Sequence, residues 1–351
     1  MLRDFTTMGG LNSEVMRLLR SAGLALASFC FCIQAKPSRA QSQQASTLPQ
    51  GAIRVSVDRV NVGVIVTDAQ GHFVEGLHRE DFLVLDNLAQ QPLTDFSTVE
   101  EPAQVLLLIE AGPAVYLLEG GHLQAAYSLL NGLSAGDRVA VVKYADVPAA
   151  IIDFTADKLA AENALGELRF NLGFGSLNLS SSLSTVLDWL TKVKGKKTVV
   201  LLSTGVDTSP SNEWGALLQQ LKTSDVRILA VSLMGELNNP QPNRKKKTPT
   251  NNFPSASLQF DEADQILKGI VEATGGRAYF PKSAKEFSAV YAEIAQLVRH
   301  EYSLAFVPTA HDGKIHSIEV RISSLGRANA STANYRTDHR QAYLAPPPDP
   351  Q

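Results

Sequence analysis

Two carboxylates stand where a sheet could present them to a ligand. Glu110 follows directly on the unbroken apolar run Val105-Leu106-Leu107-Leu108-Ile109, and Ala111-Gly112-Pro113 then turns the chain away. Asp207 lies just beyond a second strand, read over 197–203. In open α/β sheets ligands bind outside the carboxyl ends of the strands, so Glu110 is the leading candidate. A carboxylate pair can serve hydrolysis as acid and base, but nothing else in the chain supports that chemistry. The seven histidines are scattered, with no His-Glu-x-x-His spacing, nucleophile elbow or Walker-type phosphate loop. Gly173-Phe174-Gly175 lacks the third glycine of a dinucleotide fingerprint. No catalytic residue is assigned.

The elements that would position these groups follow from the pattern. Five apolar residues without alternation mark a strand covered on both faces. From there strands are expected at 104–110, 138–144, 149–154, 197–203, 226–233 and 277–280. Helices are expected at about 116–133, 157–168, 179–193, 211–223, 261–274 and 284–300. The last carries an apolar stripe (Phe287, Val290, Tyr291, Ile294, Leu297, Val298) and a capping box, Ser283 with Glu286. Alternation of this length implies a doubly wound, mostly parallel six-stranded sheet. The Ala145–Pro148 link is too short for a crossover, so strands 138–144 and 149–154 must form an antiparallel hairpin.

On either side the rhythm is β. Val60, Val62, Val64 and Val66 alternate, a short strand follows near 81–86, and after His300 strands return at 302–307, 315–322 and 343–344. A few strands alone bury too little to stand independently. The economical solution is one β-sandwich made from both chain ends, with the α/β domain inserted. The organisation is then 52–101 and 301–345 as the two parts of the sandwich, 103–300 as the α/β domain, and 346–351 as a disordered proline-rich tail. The Pro-rich stretch Asn238–Ser257, with Arg244-Lys245-Lys246-Lys247, reads as a solvated loop.

Composition narrows the function. The chain has 351 residues, 44% apolar and 19% charged, with net charge −3. Nucleic-acid binding has no electrostatic support. Arg17 and Arg20 precede an apolar run, Ala22 to Ile33, and Ser38-Arg39-Ala40 supplies a cleavage site. Residues 1–40 read as a secretory signal, followed by a linker at 41–51. The apolar run falls short of the ~20 residues that span a bilayer, so no stable membrane insertion is expected after cleavage. Cys30 and Cys32 lie inside it, so the mature chain has no thiol for disulfide or metal.

The order of these elements, with Val64-Ile65-Val66-Thr67-Asp68-Ala69-Gln70-Gly71, Gly76-Leu77-His78-Arg79-Glu80-Asp81-Phe82, Gly136-Asp137-Arg138-Val139-Ala140-Val141-Val142, Leu201-Leu202-Ser203-Thr204-Gly205 and Glu301-Tyr302-Ser303-Leu304-Ala305-Phe306-Val307-Pro308, resembles the acidobacterial von Willebrand factor A-related family. The resemblance implies a divalent ion above the first strand, held by Asp-x-Ser-x-Ser, a loop Thr and a later Asp. Here the first motif reads Glu110-Ala111-Gly112-Pro113-Ala114, so Gly112 and Ala114 replace both hydroxyls. Ser176 stands for the loop Thr, and Thr204 for the Asp, with Asp207 three residues on. The expectation is a degenerate, metal-free site and no cofactor. The alternative has Asp207 beside Glu110 holding a weak Mg²⁺ or Ca²⁺. Glu110, Ser176, Thr204 and Asp207 are expected to rim a polar crevice, either as strand-end caps or as a face for another protein.

Overall fold

The computed structural model describes residues 59–98, 102–112, 115, 121–169, 176–208, 213–235, 254–323 and 335–348. The expected signal at 1–40, the linker at 41–51, Ala114, Gly173–Gly175 and the basic run 244–247 lie outside the described residues, as do 349–351 of the expected tail.

The first four strands are β1 (Val60–Thr67), β2 (Phe82–Asp86), β3 (Ala89–Gln91) and β4 (Asp95–Ser97). β1 buries Val60, Val62, Val64 and Val66, while Asn61 faces solvent. That is the period of two of a strand with one face on a core, and it holds only for the first half of β1, since Ile65 and Thr67 on the opposite face are buried as well. It ends in a turn, where the Asp68 carboxylate accepts from the Gln70 and His72 amides at 2.9 and 2.8 Å.

The alternating unit follows: β5 (Ala103–Glu110), α1 (Gly121–Gly132), β6 (Arg138–Tyr144), β7 (Pro148–Thr155), α2 (Lys158–Gly166) and α3 (Leu179–Leu190). It continues through β8 (Lys196–Ser203), α4 (Glu213–Thr223), β9 (Val226–Ser232), α5 (Pro254–Thr274), β10 (Ala278–Tyr279) and α6 (Ala284–Arg299). The six strands run β10-β9-β8-β5-β6-β7, parallel throughout except for the antiparallel β6–β7 pair. β5 sits in the middle. Val105, Leu107 and Ile109 pack with Leu129 of α1 and Phe287, Tyr291 and Ile294 of α6. Leu106 and Leu108 pack on the other face with Leu183, Leu187, Leu217 and Leu267 of α3, α4 and α5. All five residues of the run are fully buried, each such side chain contributing about 1.5–3 kcal/mol.

Helix ends show their local causes. Ser283 accepts from the Glu286 amide at 3.4 Å, and the Glu286 carboxylate reaches back to the Lys282 amide at 2.9 Å. Several boundaries shift by one to three residues, α3 ending at Leu190 rather than 193 among them, and one shifts further. α5 begins at Pro254 rather than near 261, so the last four residues read as loop are helical. Proline is at home in a first helical turn, where its missing N–H has no partner to lose.

After α6 come β11 (Tyr302–Phe306), β12 (Ile315–Ile322), β13 (Arg336–Asp338) and β14 (Ala342–Leu344). They join the first four strands in two four-stranded sheets, β13-β1-β11-β4 and β14-β12-β2-β3. Each sheet mixes both ends of the chain, with Val62 opposite Leu304 and Val84 opposite Val320. Val62, Val64, Tyr302, Phe306, Ile318 and Tyr343 fill the core between them. The α/β unit is inserted between the two contributions to this sandwich.

The joint is ionic. Glu301, between α6 and β11, binds Lys196 at 2.7 Å and Arg227 at 2.9 Å, both at the amino ends of central strands. Arg227 also donates to the Gly63 carbonyl at 3.1 Å. Gly63 makes room for this contact: a Cβ there would lie 1.4 Å from Glu301 Oε1, and the carboxylate would have to swing off its cations. Burial pushes the Glu301 pKa up, but Arg227 and Lys196 outweigh it and the net shift is downward. Its stabilisation is therefore present above the unfolded glutamate pKa and is lost as pH falls through the folded value. Glu301→Ala leaves two half-buried or buried cations facing each other and should lower the unfolding free energy in urea by about 3–5 kcal/mol at neutral pH. A loss below about 1 kcal/mol would reduce the cluster to surface-type pairing.

Candidate functional site

Three neighbouring strands end together beneath one surface. Glu110 closes β5, Tyr144 closes β6 in register with it, and Ser203 closes β8 one step beyond the Ile109–Leu202 pair. Glu110, Tyr144 and Ser203 are wholly buried, and Thr204 nearly so. The Thr204 amide donates to Glu110 Oε2 at 2.7 Å, and the Thr204 hydroxyl lies 2.8 Å from Oε2 and 3.0 Å from Oε1. The Ser203 hydroxyl donates to Oε2 at 3.1 Å. Tyr144 Oη is closer to Ser203 Oγ, at 2.7 Å, than to Glu110, at 3.3 Å. The Tyr144 proton is thus shared between Ser203 and Glu110 and leans to Ser203, while the Gly205 amide gives Ser203 a second donor at 2.8 Å.

Every partner of Glu110 is a neutral donor. Burial raises the Glu110 pKa, the bonds from Thr204, Ser203 and Tyr144 lower it, and the net shift is upward. Burial and the adjacent Glu110 push the Tyr144 hydroxyl well up. Gly112 roofs the carboxylate. A Cβ there would stand 2.7 Å from Leu177 Cδ2 and 3.4 Å from Glu110 Oε1. Gly205 closes the other side at φ +78°, where a Cβ would meet the Ala263 carbonyl oxygen at 2.5 Å.

Asp207 has a different task. Its two carboxylate oxygens accept from the Leu179 and Ser180 amides at 3.1 and 3.2 Å. These are the first residues of α3, whose N-cap residue Asn178 makes no capping bond of its own. The Asn178 side chain instead reaches Asp146, at 2.9 Å to its carbonyl and 2.7 Å to its carboxylate. Asp207 thus supplies from another loop the negative charge and acceptors that a helix N-terminus favours. Thr208 ties the same loops together, its hydroxyl 2.8 Å from the Leu177 amide.

The sequence placed Glu110, Ser176, Thr204 and Asp207 on the rim of one crevice. The structure brings Glu110 and Thr204 into direct contact, but below the surface. Asp207 is half-buried against α3, and Ser176 is exposed. Around Ser176 the surface also carries Thr208, Val206 and, on the β6–β7 turn, Val147, which is 70% exposed. Glu110 does not face a cleft with Asp207 as a hydrolytic pair would. Among the described residues no three His, Cys, Asp or Glu side chains converge as metal ligands. Tyr144 and Ser203 went unnoticed in the sequence. The signal was there, in a polar residue ending each apolar run beside β5, but it becomes a network only once the register is known.

Glu110→Gln tests the charge state. With a folded pKa above the unfolded one, Glu110 contributes its full stability below the unfolded pKa and loses it as pH rises through the folded value. The melting temperature of the wild type should therefore fall relative to that of Glu110→Gln as the pH is raised above the unfolded glutamate pKa. A difference that stays constant over this range would mean an ordinary glutamate.

Residues 122–276 match the family described as von Willebrand factor type A domain. The match takes in Ser176, Thr204 and Asp207 and begins after Glu110 and Gly112. No curated protein matches the chain. Among solved structures, von Willebrand factor type A from Catenulispora acidiphila is 11% identical at TM-score 0.45, over 76% of this chain and 74% of that one. BatB from Bacteroides thetaiotaomicron is 12% identical at TM-score 0.40, over 56% and 98%. Proximal thread matrix protein 1 from the mussel byssus is 13% identical at TM-score 0.41, over 61% and 51%. Domains of this type commonly mediate protein interactions and are generally not enzymes. With the family match falling on the doubly wound sheet described above, this is a protein that carries a von Willebrand factor type A domain.

Proposed function

We propose that the chain is a secreted or periplasmic, non-enzymatic interaction module of adhesion type, and that it binds another protein without a divalent ion. The observation that carries this reading is the internal use of the Glu110 carboxylate by Thr204, Ser203 and Tyr144. A Mg²⁺ site needs near-octahedral oxygens with one or two carboxylates. Gly112 brings no hydroxyl, and neither does Ala114. The Thr204 hydroxyl is directed at Glu110, and the Asp207 oxygens hold the α3 amides. An ion would have to strip Glu110 of its donors and uncap a helix, so the residues do not fit one. Secretion rests on the signal-like residues 1–40.

The contact face is then the exposed surface around Ser176, Val206, Thr208 and Val147, held rigid from beneath by the Glu110 network. It mixes hydroxyls with isolated apolar side chains, as the edge of a protein interface does.

Calorimetry with Mg²⁺, Mn²⁺ and Ca²⁺ should give no binding heat at millimolar concentration. Capture of a partner from the medium of the native host should weaken about tenfold, the 1.4 kcal/mol of a disrupted contact, in Ser176→Arg and Thr208→Arg but not in Lys285→Glu on α6. Micromolar metal binding that Asp207→Ala removes would establish a metal-dependent module instead.

A further inference from the structure

At the other end of the sheet lies a cavity of about 490 Å³, a volume within the range of small-molecule sites. It sits between the outer face of β1, β11 and β4 and the amino ends of β8 and β9. Six cationic side chains line it: Arg59, Lys194, Lys196, Lys197, Arg227 and Arg340. Only three carboxylates do. Asp95 answers Arg59 at 3.0 Å and Asp225 answers Lys197 at 2.7 Å. Glu301 is shared between Lys196 and Arg227.

That leaves an excess of positive charge with two side chains unmatched. Among the described residues neither Lys194 nor Arg340 has a carboxylate within ion-pair distance. Lys194 is exposed and can be left to water. Arg340 cannot. Its Nε is shut away from solvent with no acceptor, and its guanidinium makes no hydrogen bond among the described residues. Burial depresses its pKa, and Asp225 offsets this only from a distance. A half-buried guanidinium whose Nε is shut off from water without an acceptor calls for a counter-charge at the edge it keeps open to the cavity.

We propose that this cavity binds a small polyanion carrying phosphate or carboxylate groups. One anionic group lies against the open edge of the Arg340 guanidinium, whose planar fork matches carboxylate and phosphate oxygens. A second reaches Lys194 across the cavity mouth. Arg340 comes from the β13–β14 connection and Lys194 from the loop before β8, so the ligand bridges the sandwich and the inserted domain. The site goes beyond the proposed contact face. It lies at the opposite end of the strands, and either reading can fail without the other.

The test is calorimetry on the full chain with pyrophosphate and, separately, citrate, at constant ionic strength set with sodium chloride. One saturable site per chain is expected, with Arg340→Gln weakening it at least about tenfold and Lys194→Ala several-fold. Binding of pyrophosphate alone identifies a phosphate ligand, of citrate alone a polycarboxylate, and of both a polyanion site without preference. Lys194→Ala alters an exposed side chain and decides the matter if Arg340→Gln does not fold. No saturable binding of either anion at millimolar concentration, or binding that these substitutions leave unchanged, overturns the proposal.

Discussion

A carboxylate taken out of water must have its charge neutralised or its oxygens supplied with donors, and the two ends of one sheet do this in opposite ways. At the carboxyl ends of the strands, Glu110 is surrounded by an amide and three hydroxyls, none of them cationic, and its pKa is raised. At the amino ends, Glu301 is held between Lys196 and Arg227, and its pKa is lowered. The same side chain, fully buried at 110 and partly at 301, therefore makes stability depend on pH with opposite sign. What sets the sign is whether the partners carry charge.

The two sites also divide the structural work. The Glu301 cluster joins the inserted domain to the sandwich through three segments distant in sequence: Gly63 in β1, Arg227 at the start of β9 and Glu301 after α6. A second ionic contact does the same at the other edge, where Arg277 binds Asp338 at 2.6 Å and the Thr67 hydroxyl at 3.1 Å. The Glu110 network acts within the α/β unit, tying the ends of β5, β6 and β8 to the Thr204 loop. Loops on a rigid frame are where binding residues usually sit, and this network makes the frame rigid at the surface where Ser176 and Thr208 are displayed.

Much of the architecture was legible because it follows from one-dimensional periodicity. The unbroken run Val105–Ile109 predicts a central strand, the three-residue link before Pro148 forces an antiparallel pair, and Ser283 with Glu286 marks the start of α6. The composite sandwich was legible by exclusion, since neither end of the chain has strands enough to stand alone. The site was less so. Spacing located Glu110, Thr204 and Asp207 near the strand ends, but not that Glu110 points inward. That depends on register, which sets Tyr144 and Ser203 on either side of it. Gly63 is opaque for the same reason: nothing in its local sequence announces that a carboxylate 238 positions later packs where its side chain would be.

β8 connects the two ends. It begins with Lys196 and Lys197 at the basic cavity and finishes with Ser203 on Glu110, seven residues and about 23 Å from Lys196. Such a continuity invites the idea that an anion at one end could reset the face at the other. The packing argues against it. Coupling between distant sites needs an element with two discrete arrangements, and β8 is paired on both edges by β5 and β9 and buried along nearly its whole length. A strand so enclosed has one register, because a slip by a single residue would break its pairing with both neighbours and pull Lys197 off Asp225 and Ser203 off Glu110. The rigidity that lets Glu110 be held by neutral donors alone is thus the same rigidity that keeps events at the amino ends of the strands from being felt at their carboxyl ends.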